Sequence, residues 1–102
     1  MSIAPLLPLF VRLESLVLGR NKIGDKGAAA LAEACRQLPQ LKQLNLGYNQ
    51  IGDAGMAALA EAIAKEGTFP SLTYISLNGN PASVDASYAV EEALAKKQQQ
   101  RI

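Results

Sequence analysis

The sequence contains no histidine, no tryptophan and a single cysteine, Cys35. Without histidine there is neither a histidine-based triad nor a histidine metal site, and one thiol makes neither a cysteine cluster nor an intramolecular disulfide. Aromatic residues are only 5% of the chain although hydrophobic residues are 49%. The core must therefore be built from Leu, Ile, Val and Ala. An excess of one charge sign is missing too: ten basic and nine acidic residues leave a formal net charge of +1. That balance argues against nucleic acid or an acidic membrane surface as partner, both of which need clustered positive charge. The one local excess, Lys96, Lys97 and Arg101, reads as a solubilising C-terminal tail.

Long apolar runs are absent as well. No stretch approaches the roughly 18 apolar residues that a membrane-spanning helix needs. The apolar start, Met1 to Val11, lacks a basic leading segment, contains Pro5 and Pro8, and has no small-x-small cleavage site. With no N-x-S/T sequon and one cysteine, these exclusions predict a soluble chain of the cytoplasm. A length of 102 residues allows one domain around one core.

What the chain does have is a repeat. Leu13-x-x-Leu16-x-Leu18-x-x-Asn21-x-Ile23 returns 28 residues later as Leu41-x-x-Leu44-x-Leu46-x-x-Asn49-x-Ile51. It returns again after 31 as Leu72-x-x-Ile75-x-Leu77-x-x-Asn80-x-Ala82. Between the first two copies, 15 of the 23 positions from Leu13 to Cys35 are identical, which marks a duplication. The three extra residues of the third spacing fall around Gly67-Thr68 and predict a longer surface loop.

Within each copy the hydrophobic period changes. Leu16 and Leu18 alternate with other residues, as in a strand buried on one face. Gly24-Asp25 and Gly52-Asp53 supply a turn, and the two aspartates are placed to cap the helices that follow them. Gly27 to Gln37 and Gly55 to Lys65 are Ala-rich, with Leu31/Cys35 and Leu59/Ile63 at helical spacing. Each unit therefore reads as strand, turn, helix, loop. Alanine lets neighbouring helices pack closely, and Gly27 and Gly55 serve the same approach at the helix starts. Asn21, Asn49 and Asn80 are expected to bond the backbone of the turns that leave the strands. Cys35 shares a helix slot with Ile63 and Leu94, so it reads as a core hydrophobe.

The stretch Asn21-x-Ile23-Gly24-Asp25-x-Gly27-x-x-x-Leu31-Ala32-Glu33-Ala34, with its counterpart Asn49 to Ala62, resembles a leucine-rich repeat of the ribonuclease-inhibitor-like class. That class includes the repeat regions of NOD-like receptors and of Ran GTPase-activating protein. The resemblance implies an α/β fold, a short right-handed horseshoe segment with parallel strands on its concave face and helices on its convex face. On that reading, residues 1–12 are a remnant of a preceding unit or an N-terminal cover. Residues 13–40 and 41–71 are repeats, and 72–102 form a divergent terminal repeat with a polar tail.

Catalysis has little to stand on. Gly19-x-x-x-x-Gly24 is followed by Asp25-Lys26, where a phosphate loop needs Lys and then Ser or Thr. No cofactor or metal is expected, and the chain is not expected to be an enzyme. The residues left unexplained by packing lie on the strand positions that alternate with the buried leucines. Among them Arg20, Gln43, Asn45, Tyr48, Tyr74, Ser76 and Asn78, with Lys42 flanking them, are the candidate contacts for a protein partner, since Arg and Tyr are common interface anchors. Two other readings stay open: self-association through exposed repeat edges, and regulation of a GTPase.

Overall fold

The computed structural model describes residues 12–100. The expectation for the first twelve residues lies, apart from Arg12, outside that range. Three short strands alternate with three helices: β1 (Ser15–Val17), α1 (Gly24–Cys35), β2 (Gln43–Asn45), α2 (Asp53–Ala64), β3 (Tyr74–Ser76) and α3 (Val84–Gln100). The strands form one parallel sheet in the order β1-β2-β3. Leu16, Leu44 and Ile75 stand in register, as the repeat offsets predict.

One face of each strand is buried, and the helix layer supplies the other wall of the core. Leu41, Leu44, Leu46, Ile51, Met56, Leu59 and Ile63 of the middle unit are all 0% exposed, whereas Leu16 and Ile75 of the outer strands keep 8% and 7%. Only the middle unit has described neighbours on both sides, which is how stability is distributed in a stack whose units contact only adjacent units. Each fully buried aliphatic side chain contributes about 1.5–3 kcal/mol. Phe69 and Leu38 end the loops and are buried, so the loops are anchored in the core rather than draped over it.

Polar side chains tie the units together, and the ties run from one unit to the next. Asn49 is fully buried. Its amide donates to Leu18 O of the preceding unit at 2.8 Å and to Gly47 O of its own, while its Oδ1 accepts from Asn21 N at 2.7 Å. Asn80 repeats this toward Leu46 O, Leu77 O, Asn49 N and Ile51 N. The aspartates differ from the sequence expectation. Asp25 does not cap its own helix; its Oδ1 accepts from Gly52 N at 2.6 Å and Gly55 N at 3.0 Å, at the start of α2. Asp53 likewise accepts from Ser83 N at 2.7 Å. Each carboxylate caps the neighbouring unit, because parallel stacking brings one helix start beside the next. Gly55 is required there: a Cβ would sit 2.7 Å from Asp25 Oδ1.

The end of the chain also departs from expectation. Gln98-Gln99-Gln100 continues α3, which runs 17 residues against 12 in each of the other helices. Lys97 is no solvated charge, for its Nζ donates to Lys65 O, Thr68 O and Thr68 Oγ1 in the loop after α2. Gln98 Nε2 donates to Thr73 O beside the outer strand β3.

Candidate functional site

The sheet face away from the core carries two columns in register: Ser15, Gln43 and Tyr74 at the start of the strands, then Val17, Asn45 and Ser76 at their ends. Beyond the strands the chain turns through left-handed residues, Arg20 (φ 62°), Tyr48 (φ 57°) and Gly79 (φ 77°), at equivalent places in the three units. The turn exposes the Arg20 and Tyr48 side chains instead of sending them into the core.

At this end the candidates come together. The Arg20 guanidinium carbon lies over the Tyr48 ring, 4.6 Å from its centroid. The ring also meets the backbone of Gly79, where a Cβ would collide with the aromatic carbons. Backbone bonds lock the spacing: Arg20 N donates to Gly47 O at 3.1 Å and Tyr48 N to Asn78 O at 2.8 Å. Cation, ring and bare backbone thus form a ladder across the three units. Tyr48 remains 54% exposed within it.

Tyr74 stands apart. It is paired in register with Gln43 at the other end of the strands, and it too is 54% exposed. Lys42 lies at that margin, 3.2 Å from Glu14 in an ion pair open to solvent on both sides, and its carbonyl accepts from Thr73 N and Oγ1. Between the two ends lie Asn45 and Ser76, both half-buried. Asn45 is partly committed to the fold, since its Oδ1 accepts from Gly47 N at 3.1 Å. The candidates therefore form two exposed groups on one face, Arg20/Tyr48/Asn78 and Lys42/Gln43/Tyr74, bridged by Asn45 and Ser76.

Val17, absent from the candidate contacts, is 67% exposed on the same face and adds apolar surface to it. Its alternation with Leu16 and Leu18 places it on this face in the sequence as well. On the opposite side of the molecule, an open groove between α2 and α3 is floored by Ala60, Ala64 and Ala93 and edged by Tyr88. Among the described residues no group of His, Cys, Asp and Glu is arranged to hold a metal ion. No helix there is long and apolar enough to cross a membrane. Cys35 is buried, and desolvation pushes its thiol up to about 12, which makes it a poor nucleophile.

A family model described as Leucine Rich repeat matches residues 13–32 and 37–60. No curated protein matches the sequence. Among solved structures the chain is similar to one titled Leiomodin-1 Actin-Binding Site 2 (ABS2), with a TM-score of 0.69 and 15% sequence identity. That match covers 96% of this chain and 71% of the other. At such identity the likeness is one of fold.

Proposed function

We propose that this chain, which is a leucine-rich repeat protein of the ribonuclease-inhibitor-like type, holds a protein partner against the open face of its sheet. Leucine-rich repeat domains are generally protein-interaction modules and typically non-catalytic. The observation that carries the reading is the exposed ladder in which Arg20 stacks on Tyr48 and Tyr48 rests against Gly79. None of these side chains closes the core, and a left-handed backbone costs a non-glycine residue about 1–2 kcal/mol. A rigid, amphipathic ring already held by its neighbours loses little conformational freedom on binding, which favours it as an anchor. Val17 adds apolar surface at the end of β1, and Tyr74 extends it to the start of β3.

The test is capture of partners from a source-cell lysate by the intact chain and by the Tyr48→Ala/Tyr74→Ala double variant, with thermal unfolding of both measured in parallel. The reading expects the captured set to be lost while the unfolding midpoint stays nearly unchanged. Actin belongs among the purified baits tried beside the lysate, because the solved structure of similar fold is titled as an actin-binding site. Capture that survives the double substitution overturns the reading.

A further inference from the structure

The two sides of this nearly neutral chain differ in charge balance. The strand and turn segments, residues 12–23, 41–52 and 72–83, carry four cations, Arg12, Arg20, Lys22 and Lys42, against the single carboxylate Glu14. The rest of the chain, helices and the loops behind them, holds the other eight carboxylates of the nine but also the other six cations of the ten, so it is mildly acidic where the strand and turn segments are basic. Two of those eight, Asp25 and Asp53, are spent capping neighbouring units. Others, including Glu61, Asp85 and Glu92, edge the groove between α2 and α3 on the far side. All four cations of the strand and turn segments belong to exposed residues. Lys42 has Glu14 as its ion-pair partner, whereas Arg20 meets an aromatic ring, which leaves its positive charge uncompensated.

We propose that the open sheet face takes an acidic protein segment, whose carboxylates meet Arg20, Lys22 and Lys42 and whose apolar side chains lie on Val17, Tyr48 and Tyr74. This rests on the function proposed above and specifies the chemistry of the partner. Net charge conceals the preference, because the small acidic excess of the helix layer offsets most of the basic excess of the sheet face but lies on the other side of the molecule. The guanidinium of Arg20 lies over Tyr48, 4.6 Å from the ring centroid, and has N–H groups to offer a carboxylate in the fork geometry by which arginine pairs with carboxylates. Complementary charge of this kind acts mainly on encounter rate and partner choice, and salt weakens it.

The experiment titrates the full chain into fluorescein-labelled twelve-residue probes at 50 and 200 mM NaCl. One peptide alternates Asp/Glu with Leu and Val, a second carries Asn/Gln and a third Lys at the acidic positions, and the fourth probe is a thymidine oligonucleotide. The proposal expects the acidic peptide to bind at least about ten-fold more tightly than the other three, with the difference shrinking at higher salt. Arg20→Glu/Lys22→Glu should abolish that preference, and Lys65→Glu/Lys96→Glu, an equal reversal on the helix layer, should leave it. Equal binding of the peptides, no binding of any, or stronger binding of the oligonucleotide overturns the proposal. So does salt-sensitive self-association of the chain alone by sedimentation, which would make the acidic helix layer of a second copy the true occupant. If lysate capture depends on Tyr48 and Tyr74 but is indifferent to Arg20→Glu/Lys22→Glu, the acidic partner is refuted while the binding face stands.

Discussion

The guanidinium of Arg20 rests on the ring of Tyr48 at 4.6 Å, although the two residues are 28 positions apart in sequence. The contact exists because parallel stacking places equivalent residues of successive units side by side. At an exposed site a cation–π pair is worth about 0.5–1 kcal/mol. A double-mutant cycle on Arg20→Ala and Tyr48→Ala, read by urea unfolding, should return a coupling of about that size. Coupling near zero would mean that the two side chains share a surface without interacting.

Removal of the buried amide of Asn49 leaves Asn21 N without its acceptor, while Leu18 O and Gly47 O each lose one of two donors and keep Asn21 Nδ2 and Arg20 N. One orphaned backbone N–H and two further lost bonds add up, so Asn49→Ala should destabilise the chain by roughly 2–4 kcal/mol. Asn21 is exposed, and its side-chain amide donates to the carbonyls of its own turn, Leu18 O and Gly19 O. Asn21→Ala should cost less than about 1.5 kcal/mol. Equal effects in chemical denaturation would show that the two asparagines do the same local work and that the inter-unit bonds add nothing.

Adjacent lysines at the end of α3 should behave differently. Lys97 Nζ holds Lys65 O, Thr68 O and Thr68 Oγ1, whereas Lys96 pairs with Glu92 on the surface at 3.0 Å. Lys97→Ala should lower stability by roughly 1.5–3 kcal/mol, the range for hydrogen bonds from a charged group. Lys96→Ala should change it by less than about 1 kcal/mol, as exposed ion pairs do. Thermal unfolding of the two variants provides the comparison.

Much of this was legible in the sequence, and what was not has a physical reason. The leucine spacing and its offsets gave strands, helices, register and the core columns, because a duplicated period leaves each buried position marked more than once. The period could not say whether Asp25 caps α1 or α2. Both helix starts offer N–H groups, and only the approach of neighbouring units decides between them. Lys97 and Gln98 read as a tail because their acceptors, Lys65, Thr68 and Thr73, lie 25 to 32 residues away. Alternation put Tyr48 and Tyr74 on one face, but their columns differ. Tyr48 follows Arg20 and precedes Gly79, while Tyr74 follows Gln43, so the candidate site has two ends rather than one strip.

Cys35 provides a prediction with a pH sign. Burial raises its thiol from 9.0 to about 12. The unfolded chain therefore loses this proton first as the pH rises, and its ionisation favours unfolding. The stability of the wild type should fall between pH 9 and 12 more steeply than that of Cys35→Ala, with no difference in slope near pH 7. In a thiol-reagent assay at pH 8, Cys35 should react on the timescale of unfolding. Rapid labelling of the folded chain would contradict its burial.

The central claim is that partners are held on the sheet face and not on the helices. A photo-cross-linking amino acid placed singly at Val17, Asn45 or Ser76 samples that face, and one at Ala29, Ala57 or Ala89 samples exposed helix positions. Irradiation of each variant with the captured partner, followed by mass identification of the adduct, decides between the faces. Adducts at Val17, Asn45 and Ser76 and none at the three alanines are the predicted result. Adducts confined to Ala57 and Ala89 would place the partner on the groove between α2 and α3 and contradict the claim.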